Sequence, residues 1–77
     1  MINTVASIDD EMRTLIRGAR MNRQLSQAKL AEFMNGLFDA GWFQQTVQKV
    51  ESGDRKLSAG EFIGVVSILD VDVWRKQ

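Results

Sequence analysis

The sequence predicts an all-α domain of four or five short helices. Three observations carry this. Apolar residues recur at three- and four-residue spacing in separate pieces along the chain. Ser7, Ser26 and Ser58 each stand just ahead of such a piece, where a side-chain oxygen can accept from a helix's first free N–H groups. Strictly alternating β-branched runs are absent, and so are Pro, low-complexity tracts and internal repeats.

Helix one is expected from about Ile8 to Asn22. Ser7 reads as its N-cap, and Asp9, Asp10 and Glu11 fill a first turn where the helix dipole favours anions. Ile8, Met12, Leu15, Ile16 and Ala19 form one stripe. Helix two starts at the N-cap Ser26, with Leu25 placed to staple onto Leu30. Ala28, Ala31, Phe33 and Met34 supply its apolar positions. Asn35-Gly36 resembles a C-cap, yet Leu37 and Phe38 continue the spacing, so the helix is expected to reach about Ala40. Helix three runs from about Gln44 to Ser52 and ends at Gly53. Phe43, Val47 and Val50 mark its buried side, and Gln44, Gln45, Gln48, Lys49 and Ser52 point elsewhere. Helix four opens on the capping box Ser58-Ala59-Gly60-Glu61, with Leu57 as its staple. Its stripe is Ala59, Phe62, Ile63, Val66 and Leu69. A last turn with Val71, Val73 and Trp74 closes the core or makes a dimer contact.

The 77 residues, 44% of them hydrophobic, fit one domain, 1–77, rather than two. Cys and His are both absent, which removes disulfides, thiolate metal sites and the commonest general base. Ser and Thr therefore have no partner for nucleophilic catalysis. Lys29, Lys49, Lys56 and Lys76 lie in no apolar run that would depress their pKa. The glycines lack the spacing of a phosphate cradle. No enzyme, cofactor, metal or small molecule is implied. No apolar run is long enough to span a bilayer, and Met1 to Asp10 does not read as a secretory signal, so a cytoplasmic protein is expected.

The formal net charge is zero, which weighs against binding to phosphate-rich partners. Its distribution is uneven. Asp9, Asp10 and Glu11 cluster early and Asp70 and Asp72 late, whereas every charge from Met12 to Lys29 is positive: Arg13, Arg17, Arg20, Arg23 and Lys29. A neutral chain can still present one basic face; the same charges also suit a solvated helix surface.

The most specific signal lies between Leu25 and Gly53. It comprises Leu25-Ser26-Gln27-Ala28-Lys29-Leu30-Ala31-Glu32, followed by Gln44-Gln45-Thr46-Val47-Gln48-Lys49-Val50-Glu51-Ser52-Gly53. This pair of motifs resembles the lambda repressor and Cro-like helix-turn-helix proteins, the XRE family. Leu15-Ile16-Arg17-Gly18-Ala19-Arg20 is similar to the family's first helix, and Arg55-Lys56-Leu57-Ser58 to the link after its third. The resemblance spans roughly Met12 to Val73.

The resemblance implies a lambda-repressor-like bundle that binds duplex DNA and regulates transcription, like a small phage-type repressor or Cro protein. Helix three would enter the major groove. Gln44, Gln45 and Gln48 would read bases, since a Gln amide bonds adenine bidentately, and Thr46 would touch base or phosphate. Gln27 would hold phosphate at the N-terminus of helix two. Lys49, Ser52, Arg55 and Lys56 would contact phosphate, with guanine an alternative for Lys49. Arg20 and Glu51 would pair between helices one and three. A homodimer, joined through Ile68 to Trp74, would bind a palindromic operator with half-sites about 34 Å apart. The alternative is a protein-interaction module of the same fold, such as an antitoxin or anti-repressor-like partner. The zero net charge favours that alternative.

One feature departs from the family. Asn35 to Phe43 is longer than the usual tight turn of about 3–4 residues. Trp42 and Phe43 are expected to anchor the start of helix three in the core, and Phe43 occupies the N-cap position where Ser or Thr is usual.

Overall fold

A computed structural model of the chain describes the backbone of residues 5–69 and the side chains of residues 10–69. The described residues form four helices and no strand: α1 (Val5–Asn22), α2 (Gln27–Phe38), α3 (Gln44–Ser52) and α4 (Ala59–Leu69). None is long and apolar enough to cross a membrane. The last turn expected around Val71, Val73 and Trp74 lies outside the described residues.

α1 begins at Val5, earlier than the sequence suggests, so Ser7 sits inside the helix and is not its N-cap. Its C-terminus closes by a double bond pattern: Leu25 N–H donates to Arg20 C=O, and Gln24 N–H to Met21 C=O. Gln24 takes the left-handed conformation (φ 58°) that such a cap requires and that Gly usually fills. Ser26 then starts α2, its hydroxyl accepting from Lys29 N–H at 3.0 Å. Leu25 packs, partly buried, against the core that contains Leu30.

α2 runs through Asn35-Gly36 and stops at Phe38, two residues short of Ala40. Asp39, left-handed at φ 53°, closes it by donating its N–H to Asn35 C=O. The long link of the sequence thus divides into an extra turn of α2 and a short loop over residues 39–43. The Asn35 side chain clamps that loop: its Nδ2 donates to Trp42 C=O at 2.7 Å, and its Oδ1 accepts from Trp42 N–H at 2.6 Å. α3 ends at Gly53 (φ 91°), with Asp54 N–H on Lys49 C=O and Gly53 N–H on Val50 C=O. Any side chain there would also meet the Arg13 guanidinium, 3.1 Å from where a Cβ would sit. The capping box of α4 forms as expected. Ser58 N–H donates to Glu61 Oε1 at 3.0 Å, and Glu61 N–H to Ser58 Oγ at 3.1 Å.

The core gathers one or more residues from every helix: Ile16, Leu30, Ala31, Met34, Trp42, Val47, Val65 and Leu69. α3 packs on α1 and α2, and α4 closes the bundle against both of them. Several expected core positions lie outside it. Leu15, Ala28, Phe33, Phe43, Ala59 and Ile63 are exposed, while Gly64 and Val65 are buried. α4 turns Gly64 and Val65 towards the bundle, and the Phe38 ring lies against it at Gly64, where an added Cβ would come within 3.2 Å of the ring. Phe43 is exposed because the backbone is extended there (φ −121°, ψ 171°), so consecutive side chains diverge and Trp42 takes the inward direction.

Candidate nucleic-acid interface

α3 is short and two-sided. Val47 and Val50 are buried, which fixes the helix's rotation about its axis. At about 100° per residue, Gln44, Gln45, Gln48 and Ser52 then fall within one arc of about 100° on the outer side. Gln44, Gln45, Gln48, Lys49 and Ser52 are all exposed. Ser52 Oγ donates to Lys49 C=O at 3.1 Å, so its hydroxyl proton is already used. Thr46 is half-buried and has a different task. Its Oγ1 accepts from Phe43 N–H at 3.0 Å, satisfying one of the free N–H groups at the helix start. The Phe43 N–H is thereby satisfied from within the helix, and Thr46 is a poorer candidate for base contact than its three Gln neighbours.

Behind this face lies a buried ionic cluster. Arg20 Nε donates to Glu51 Oε2 at 2.6 Å, and Arg20 Nη2 to Glu51 Oε1 at 3.1 Å. The side chains are only 11% and 5% exposed, so the pair is shielded from water. Arg20 Nη1 also donates to Leu25 C=O at 2.7 Å. Gln27 Nε2 donates to Glu51 Oε1 at 3.1 Å. One fork therefore ties α1, the α1–α2 turn, the first turn of α2 and the end of α3 to a single point. No described buried side-chain polar atom is left unpaired. Gln27, expected as a phosphate contact, spends one amide hydrogen on Glu51, which holds its side chain at the junction.

A polar groove of about 210 Å³ opens over this junction. Arg17, Arg20, Gln27, Gln48, Glu51 and Ser52 line it. It brings Gln27, Gln48 and Ser52, distant in sequence, onto one surface with the exposed Arg17. Arg17 stands outside the motifs that mark contact residues in the sequence. The available signal was its place one helical turn before Arg20, on the same side of α1.

Arg55 and Lys56 are positioned by the loop after α3. Arg55, expected at phosphate, is also engaged within the fold. Its Nη1 and Nη2 donate to Glu61 Oε1 and Oε2 at 3.2 and 2.8 Å, and its guanidinium lies 5.5 Å from the centre of the Trp42 ring. Trp42 Nε1 donates to Glu61 Oε2 at 3.4 Å. The Glu61 carboxyl falls from 4.5 to about 2, chiefly through the hydrogen bonds from Arg55. Partial burial opposes this, and Ser58 N–H and Trp42 reinforce it. Lys56 is exposed and engaged in an interaction of its own. The Trp42–Arg55–Glu61 cluster was not legible in the sequence, because its members sit on three different segments. Searches against protein families, curated proteins and solved structures find no match to the chain.

Proposed function

We propose that the chain is a sequence-specific duplex-DNA-binding regulator of transcription, with α2 and α3 serving as a helix-turn-helix and α3 entering the major groove. One observation carries this reading. Three exposed Gln side chains share the outer arc of a nine-residue helix whose orientation is locked by a buried ion pair, next to a groove holding Arg17 and Gln27. Gln44, Gln45 and Gln48 read base edges, because their amides carry a donor and an acceptor at the spacing adenine presents. Arg17, Gln27 and Lys49 hold phosphates, which sets register without reading sequence, and Ser52 joins them when its hydroxyl turns from Lys49 C=O. Arg55 supports the fold, and Lys56 approaches the backbone at the edge of the site. Binding as a homodimer to a palindromic operator would block or recruit RNA polymerase.

A second reading, a protein-interaction module, is favoured by the zero net charge and by exposed Phe33, Leu37 and Ile63 on α2 and α4. Selection from a random pool of duplex DNA with purified protein separates the two. Enrichment of a two-fold symmetric motif is expected. Salt-dependent binding without sequence preference would end the regulator reading and leave the interaction module.

A further inference from the structure

Phe43 is 71% exposed, the most exposed of the large hydrophobic side chains described. Its backbone is not loose. Phe43 N–H donates to Thr46 Oγ1 at 3.0 Å, and its C=O accepts from Thr46 N–H at 2.9 Å. The preceding residue, Trp42, is 3% exposed and is gripped on both backbone polar groups by Asn35. The chain thus fixes an aromatic ring in water at the first turn of α3, beside the exposed Gln44 and Gln45. Neither capping nor core packing accounts for that ring, since a phenyl group has no oxygen to cap the helix and Trp42 fills the core.

We propose that Phe43 is a specificity-determining residue that packs against the C5-methyl group of a thymine. This rests on the DNA-binding reading of α3. The N-terminal end of a helix that enters the major groove lies closest to the base edges. The thymine methyl is the one apolar group displayed there, and an aromatic ring is a suitable partner for it. The backbone that carries the ring is fixed before binding, so contact orders only the side chain's own rotamers. The polar Gln face reads adenine while Phe43 reads the thymine methyl. Together they favour an A·T-containing half-site.

The test uses the full chain and a random duplex pool, selected in parallel with wild type and Phe43→Ala. The duplex that wild type enriches is then remade with deoxyuridine in place of each thymine in turn, which removes only the methyl. One replacement is expected to weaken wild-type binding about 4-fold, the value of burying one methyl-sized group. Phe43→Ala should lose affinity for the parent duplex and show no further loss at that same replacement. Phe43→Leu should restore part of the sensitivity. Because the ring is exposed, helicity and melting of both variants should match wild type. Sequence enrichment with no deoxyuridine effect, or an unchanged effect in Phe43→Ala, overturns the methyl contact alone. Loss of self-association in Phe43→Ala with DNA affinity intact assigns the ring to a protein contact and overturns it too. Failure of wild type to enrich any sequence removes base reading and the methyl contact together.

Discussion

At the residue scale, the candidate interface separates side chains that can act outward from those that hold the fold. Gln45 is exposed and has an apolar anchor two residues later in Val47, so its truncation leaves the packing of α3 intact. Under the DNA-binding reading, Gln45→Ala costs about 1–3 kcal/mol at one base pair and relaxes preference there. Competition against single-base operator variants measures this; unchanged preference would contradict the role. Arg17→Ala should weaken every duplex alike and lower the salt slope by about 1, read from binding isotherms across ionic strengths. A loss confined to one sequence would argue against a phosphate contact. Glu51 behaves differently. Glu51→Ala strands Arg20 in a site where its side chain is 11% exposed. The expected destabilisation is about 3–5 kcal/mol, because the remaining charge keeps its desolvation cost without its partner. Chemical denaturation tests it; a loss under about 1 kcal/mol would mean the pair behaves like a surface one.

At the scale of elements, the decisive feature is the join between α2 and α3. The extra turn of α2 carries Asn35 to the position from which it holds Trp42, and Phe38 to the position from which it covers Gly64. Asn35→Ala removes a donor and an acceptor from one backbone site. It should cost about 1–3 kcal/mol, the range for leaving polar groups unsatisfied. It should also speed amide exchange at Trp42. Unaltered exchange there would show that Trp42 packing alone positions the loop. The helix boundaries at Ser26, Gly53 and Ser58 were legible because caps are local: each Ser side chain bonds an N–H three residues away, and Gly53 takes the left-handed conformation that closes a helix. The start of α1 was not, since a serine suited to capping competes with upstream residues able to continue the helix.

At the scale of the whole molecule, Trp42, Arg55 and Glu61 connect the α2–α3 loop, the α3–α4 link and the first turn of α4. Glu61 is held at about 2 in the folded chain, against 4.5 for the ordinary carboxyl. A lowered carboxylate adds stability that is fully present above the unfolded value. That stability is lost as pH falls from 4.5 towards 2, where the unfolded chain takes up the proton and the folded chain does not. The melting temperature should therefore fall across this window, and Glu61→Gln should flatten the fall while lowering stability at neutral pH. Thermal unfolding from pH 7 to pH 2 provides the check. An equal slope in the variant would place the acid sensitivity in other carboxylates.

The sequence by itself determined the helical class, three of the four helix starts, the end of α3 at Gly53 and the polar makeup of α3's outer face. These depend on spacing and on contacts within a few residues, both written along the chain. Only the tertiary structure decided the rest. It added Gln27 to the expected Arg20–Glu51 pair, set Arg55 against Glu61, and turned Trp42 inward and Phe43 outward. Such outcomes depend on which partners the packed bundle brings within reach of a side chain. Neighbouring aromatics with the same hydrophobic preference cannot both face the core from an extended backbone. Packing selects one, and the other is left at the edge of the candidate site.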